Sequence, residues 1–296
     1  MDGRKRIIVA LDCRSAKDAC ALVRSLSNDV GMFKIGFELI YSMMSDIIAP
    51  KGISEAYANM EHMRNLFSLL NGRVFIDAKL HDIPNTVSGA IKAIVNLEPA
   101  LVNVHCSGGL VMMEKAKKSV LSKANSIGID PPKVIGVTIL TSLDFEALRQ
   151  MGFLREPNPN QLIGFKEDED VLAVENLAFE LACLAKEAGL DGVVCSPHEI
   201  ESIRSACGPD FLIVTPGVRP AGTDVQDQKR VMTPGEAISL GADYLVIGRP
   251  ITKADDPAAA AQAINVEIND ALRLRKTSFP EMEMIPGTNH LGIPVE

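Results

Sequence analysis

The sequence predicts an α/β chain folded as a single-domain (β/α)₈ TIM barrel, and three observations carry that prediction. Eight short, continuous, β-branched-rich runs alternate with segments of helical spacing, as parallel strands covered on both faces require. The alternation occupies roughly 250 residues, the usual extent of such a barrel. Polar residues stand at or just after the C-terminal ends of most runs: Asp12, Lys34, Asp77 with Lys79, His105 with Ser107, Thr141, Ser196, Arg219, and Gly248 with Arg249. A doubly wound open sheet shares the alternation but would spread those ends along a line, whereas a barrel gathers them on one rim.

The expected strands are Arg6 to Leu11, Gly31 to Ile35, Val74 to Lys79, Leu101 to His105, Val134 to Leu140, Gly192 to Cys195, Phe211 to Thr215 and Tyr244 to Ile247. Helical spacing is clear over Ser15 to Leu26 and over Asn176 to Ala188, the latter stopped by Gly189. Ile47 to Asn71 is long for a single connection, so an added helix is expected over Glu55 to Leu70. Pro157 to Asp170, rich in Pro, Asn and acids, reads as a surface loop, and Lys276 to Glu296 as an arm or irregular end. The expected organisation is a barrel over residues 1–256 with a helical insertion near 47–71, then a C-terminal helix and tail over 257–296.

Bulk properties exclude several classes. Lys+Arg 30 against Asp+Glu 38 leaves a net charge of -8, which argues against a nucleic-acid surface and a polybasic membrane anchor. An anionic ligand must therefore meet a locally positive pocket. The six cysteines form no CxxC pair and no cluster with histidine, so they read as buried thiols in a reducing compartment, with no metal expected. No apolar run is long enough to cross a bilayer, and the one before Asp12 is too short for a signal peptide; a cytoplasmic protein is expected.

The decapeptide Asp77-Ala-Lys-Leu-His-Asp-Ile-Pro-Asn-Thr86 places charges of alternating sign at the end of the apolar run Arg73-Val-Phe-Ile. Strand alternation would set Asp77 and Lys79 on one side, with Asp82 just beyond. Charges withdrawn from water there cost several kcal/mol (order of magnitude) unless partnered, so a catalytic network of Lys34, Asp77, Lys79 and Asp82 is favoured over a surface ion-pair cluster. Alternating signs keep each group ionised, and a lysine held as ammonium is a proton donor, not an imine-forming nucleophile. Thr215-Pro-Gly-Val-Arg219-Pro and Ile247-Gly-Arg-Pro-Ile set Arg219 and Arg249 beside glycines after the seventh and eighth strands, where barrels frequently bind phosphate. Pro220 to Arg230, with Gly222, Gln226, Asp227 and Gln228, reads as a mobile lid. His81 and His105 are as readily structural as functional.

At these residues the sequence resembles the orotidine monophosphate decarboxylase family. The resemblance is carried by Val9-Ala-Leu-Asp12, Phe33-Lys34-Ile-Gly, the decapeptide, Val102-Asn-Val-His-Cys-Ser-Gly-Gly109, Val137-Thr-Ile-Leu-Thr141-Ser, Thr215-Pro-Gly-Val-Arg219-Pro, Asp227-Gln228-Lys-Arg-Val and Ile247-Gly248-Arg249-Pro-Ile. It implies cofactor-independent decarboxylation of orotidine monophosphate to uridine monophosphate. Lys79 would protonate C6 of the pyrimidine, Asp77 would flank the departing carboxylate, and Lys34 and Asp82 would complete the network. Asp12 and Lys34 would contact the ribose, Thr141 and Pro216 the pocket wall, and Arg219, Gln228, Gly248 and Arg249 the phosphate. The resemblance further implies a homodimer in which Asp82 and Thr86 reach the neighbouring site.

Three other readings share parts of this pattern. A hexulose phosphate synthase resembles the Asp-x-Lys-x-x-Asp strand but uses magnesium, and Ile83-Pro-Asn-Thr86 speaks against it. A Schiff-base aldolase would need Lys79 unprotonated beside two carboxylates. A non-catalytic phosphate-ligand sensor on the same fold would have no use for the charge network.

Overall fold

The structure is a computed structural model and describes residues 2–155, 166–220 and 232–278. Strands β1 (Ile7–Ala10), β2 (Met32–Ile35), β3 (Val74–Leu80), β4 (Leu101–His105), β5 (Lys133–Val137), β6 (Gly192–Val194), β7 (Leu212–Pro216) and β8 (Tyr244–Ile247) form a closed barrel in sequence order, β8 pairing in parallel with β1. The expected barrel is present, with strand ends displaced by up to three residues. The largest displacement is in β5, which ends at Val137 and not at Leu140.

The helices follow the strands. They are α1 (Ala16–Leu26), α2 (Phe37–Ile48), α3 (Ile53–Leu70), α4 (Pro84–Val95), α5 (Leu110–Ile127), α6 (Phe145–Gln150), α7 (Lys166–Glu187), α8 (Ile200–Cys207), α9 (Pro234–Leu240), α10 (Arg249–Thr252) and α11 (Pro257–Ser278). Local chemistry fixes their ends. Ser15 caps α1 by accepting from the Asp18 amide, and Thr233 with Glu236 closes a reciprocal capping box on α9. Gly189, at φ 75°, follows α7 as its spacing required. The β2–β3 connection holds α2 and α3, so the expected added helix is there and begins at Ile53. α7 starts at Lys166, so the last five residues of the expected 157–170 loop are helical instead; residues 156–165 lie outside the described residues. The expected lid beyond Pro220 and the tail beyond Ser278 also lie outside them.

Two apolar layers hold the barrel. Inside it, Ile8, Met32, Phe75, Leu101, Ile135 and Val214 pack together, while their neighbours along each strand, such as Ile7, Val9, Phe33 and Ile76, face the helices. α11 contributes Ala261, Ile264, Ile268 and Leu272 to that outer layer. At the N-terminal end of the strands two aspartates tie elements together. Asp243 pairs with Arg204 at 2.6 Å and Arg6 at 3.2 Å while accepting from the Ile213 amide. Asp191 pairs with Lys117 at 2.6 Å and accepts from the Val134 amide at 2.7 Å.

Candidate active site

The inner-face pattern that builds the core continues upward into charge. Two residues beyond Met32 on β2 stands Lys34; two beyond Phe75 on β3 stands Asp77. The apolar floor and the charged mouth are thus the same faces of the same strands. A cavity of about 180 Å³ opens there, lined by Lys34, Phe75, Asp77, Lys79, Val137, Ile139, Leu140, Thr141, Val194, Cys195, Pro216 and Val246. That is far above the roughly 10–15 Å³ a single water needs, so a ligand entering it displaces several waters.

Asp77 is the centre of the network and only 6% exposed. Its Oδ1 accepts from Lys79 Nζ at 2.7 Å, and its Oδ2 faces Lys34 Nζ at 3.2 Å. Lys34 in turn lies 3.6 Å from Asp12 Oδ1, which completes a chain of alternating sign from the solvent edge to the cavity. Burial pushes the Asp77 carboxyl up, but Lys34, Lys79 and the hydrogen bonds from Lys79 and Asn103 outweigh it, and the carboxyl is held below its ordinary value. Gly36 leaves room for this arrangement: a Cβ there would stand 2.9 Å from Lys34 Nζ.

Lys79 reaches Asp77 by a different route from the one alternation predicts. β3 and β4 pair in register through Ile76↔Val102, after which the register shifts and Leu80 pairs with Val104. Across this irregularity Lys79 adopts φ 39°, in the left-handed region that a non-glycine residue enters at a cost of about 1–2 kcal/mol. The sequence reading missed Asn103, whose side chain accepts the Lys79 backbone amide at 2.7 Å and donates to Asp77 Oδ1 at 2.7 Å. The available signal was a polar residue two positions beyond Leu101 on the inner face of an otherwise apolar strand.

Asp82 does not join the network of its own chain. It is exposed, accepts from the Ile83 amide at 2.6 Å, and makes no ion pair with a lysine among the described residues. Thr86, on the first turn of α4, is likewise exposed. Thr141 and Pro216 line the cavity as expected, and Gly248 lies beside Asp12, a Cβ there falling 3.6 Å from Asp12 Oδ2. Arg219 follows β7, with Nη1 donating to the Val218 carbonyl at 3.0 Å, and Arg249 opens α10 after β8. Gln228 lies outside the described residues. His81 and His105 lie with ring centroids 5.5 Å apart and planes tilted by 36°, and burial, with His81 and Lys79 nearby, lowers the His105 value.

Among the described residues no group of three or more His, Cys, Asp or Glu is placed to hold a metal ion, and no helix is long and apolar enough to cross a membrane. Residues 5–264 match the model of the Orotidine 5'-phosphate decarboxylase / HUMPS family. The chain is 48% identical over 269 residues to an orotidine 5'-phosphate decarboxylase of Moorella thermoacetica, covering 90% of this chain and 94% of that one. It is 46% identical over 267 residues to one from Trichlorobacter lovleyi, covering 90% and 96%. Among solved structures it is similar to the orotidine 5'-phosphate decarboxylase of Lactobacillus acidophilus, with a TM-score of 0.66 and 33% identity over 89% of this chain and 98% of the other.

Proposed function

The chain belongs to the Orotidine 5'-phosphate decarboxylase / HUMPS family, and we propose on that premise that it converts orotidine 5'-phosphate to uridine 5'-phosphate and carbon dioxide, with Lys79 as proton donor. It is a carboxy-lyase of pyrimidine biosynthesis. The observation that carries the assignment of roles is the charge chain Asp12, Lys34, Asp77, Lys79 at the rim of an otherwise apolar cavity.

Breaking the C6–carboxylate bond leaves its electron pair on C6, where no ring carbonyl is placed to delocalise it well. The Lys79 ammonium, fixed by Asp77 at 2.7 Å, supplies the compensating charge. In a site cleared of water such preorganised electrostatics is the largest contribution to rate. Carbon dioxide departs, the C6 pair takes a proton from Lys79 Nζ, and the neutral amine regains one from water. Asp77, ionised beside the substrate carboxylate, adds a like-charge repulsion that disappears as neutral carbon dioxide forms.

Asp12 and Lys34 hold the ribose, and Arg219, Gln228, Gly248 and Arg249 take the phosphate, whose binding energy is available for closing the site. Asp82 and Thr86 complete the site of a second copy. Their exposure supports this, and so does the apolar face of α2, where Phe37, Tyr41, Met44 and Ile48 are all at least 47% exposed. Curated relatives at 41–48% identity bear the decarboxylase name, which favours this reading over a phosphosugar chemistry within the same family. The reaction acts on a free nucleotide and calls for no cofactor, nucleic acid or membrane; a cytoplasmic location fits that role.

The test is the loss of ultraviolet absorbance when the purified chain meets orotidine 5'-phosphate. Wild type should consume it, and Lys79→Ala should fold, bind product and turn over nothing. Turnover by Lys79→Ala would remove that residue from its role. Sedimentation should report a dimer, and a persistent monomer with full activity would contradict the shared site.

A further inference from the structure

We infer that Asn103 is a positioning residue for the decarboxylation, an amide clamp that sets the Lys79 backbone and the Asp77 carboxylate at once; the inference rests on the proposed function above. Asn103 is 1% exposed and stands on the inner face of β4, between Leu101 and His105. Its Oδ1 takes the Lys79 amide at the point where β3 leaves its register with β4, and its Nδ2 binds the same Asp77 oxygen that receives the Lys79 ammonium. The ladder cannot satisfy that amide, because the two strands are out of step there.

The requirement is chemically narrow. Position 103 must offer one acceptor to a backbone N–H and one donor to a carboxylate from a single short side chain. Asn does so; Leu offers neither, and an ionised Asp offers an acceptor but presents a second negative charge to Asp77. Without the clamp Lys79 loses the bond that holds it at φ 39°, and its ammonium is no longer aimed by a fixed carboxylate. Because Asn103 does not line the cavity, it acts through these two residues and not on the substrate.

A protonated Asp at this position would carry one donor and one acceptor, as the amide does. This makes the clamp readable by pH. The charged groups facing position 103 are Asp77 and Lys79 on β3, with Lys34 beyond them on β2 and His105 on β4 itself; β5 presents Ile135 and Val137, which do not titrate. Burial and the Asp77 charge favour the protonated form of an aspartate introduced there, while the Lys79 and Lys34 charges favour the ionised one.

The experiment compares Asn103→Leu and Asn103→Asp with wild type across pH 5 to 8, with thermal melting and binding of uridine 5'-phosphate as checks of the fold. For Asn103→Leu the expected result is a kcat lower by about 100-fold, the scale of a misplaced reacting group, with KM changed by less than about fivefold because the phosphate and ribose contacts are intact. For Asn103→Asp the ratio of its kcat to that of wild type should climb as pH falls, by up to about tenfold per unit across its titration. Folded Asn103→Leu with kcat within about threefold of wild type overturns the inference. So does a folded Asn103→Asp that keeps wild-type kcat at a pH where NMR shows its introduced carboxyl ionised, which decides the matter even if Asn103→Leu fails to fold. A wild-type chain that leaves orotidine 5'-phosphate unchanged refutes the function itself, a result separate from either.

Discussion

Substituting Gly36 by Ala perturbs the charge chain without touching any group that carries charge. The new Cβ would lie 2.9 Å from Lys34 Nζ, and the backbone there, φ -101° and ψ -174°, accepts any residue, so the flexible end of Lys34 must give way. Restoring ordinary contact moves Nζ by about 0.5 Å; because the new Cβ would also stand 4.0 Å from Asp77 Oδ2, that move runs nearly across the ion pair and lengthens its 3.2 Å by only about 0.1 Å. Coulomb's law at an effective dielectric of about 20 puts that loss near ~0.2 kcal/mol, and an ammonium displaced by about half an ångström within the charge chain costs about 1 kcal/mol more in transition-state alignment. Together they predict a fall in kcat/KM of roughly 5- to 30-fold. The cost in stability should be under about 1 kcal/mol, the difference between Gly and Ala at a helix N-cap. Steady-state decay of orotidine 5'-phosphate absorbance, with melting as control, measures both. A folded variant with kcat/KM within twofold of wild type would show that the placement of the Lys34 ammonium does not matter to turnover.

Arg249→Ala should lower kcat/KM by about 2–4 kcal/mol equivalent through loss of a phosphate contact, and near-normal kinetics would remove Arg249 from that role. Mixing two inactive variants, Lys79→Ala and Asp82→Ala, should restore activity as hybrid dimers form with one intact site; an inactive mixture shown to exchange subunits would contradict sharing of Asp82. Glu199 offers a test of stability apart from catalysis. Burial pushes its carboxyl up from 4.5 to about 8, partly offset by the Ser196 amide and reinforced by Glu175. Its folded-state value being raised, its contribution is whole below pH 4.5 and is lost as pH climbs through 8. Glu199→Gln keeps the oxygen that accepts from Ser196, so its stability advantage over wild type should widen by on the order of 3 kcal/mol between pH 5 and pH 8. Chemical denaturation showing a gap independent of pH would refute a titrating Glu199.

The barrel was legible because burial on both faces forces each strand into an unbroken apolar run, and because the rim interrupts those runs with Asp12, Lys34, Asp77 and Thr141. The end of β5 was overread, since Thr138 to Leu140 keeps an apolar, β-branched composition after its pairing stops at Val137. The meeting of Asp77 and Lys79 could be anticipated, but the bend that produces it could not. A left-handed lysine has no compositional mark, unlike a glycine in a turn, and the register slip depends on what Asn103 does from the neighbouring strand. Asp82 was read beside the same network from its spacing, with the resemblance adding a neighbouring site, because spacing along a chain does not fix where a side chain past the strand end points; in the structure it is exposed.

The Asp191 and Asp243 junctions lie at the strand starts, a whole barrel height away from Lys79. An engineer seeking a hardier protein has a region to work in where reinforcement leaves the reacting geometry alone. New ion pairs or tighter packing around Arg204 and Lys117 can raise resistance to heat while the bent end of β3 keeps its backbone unchanged.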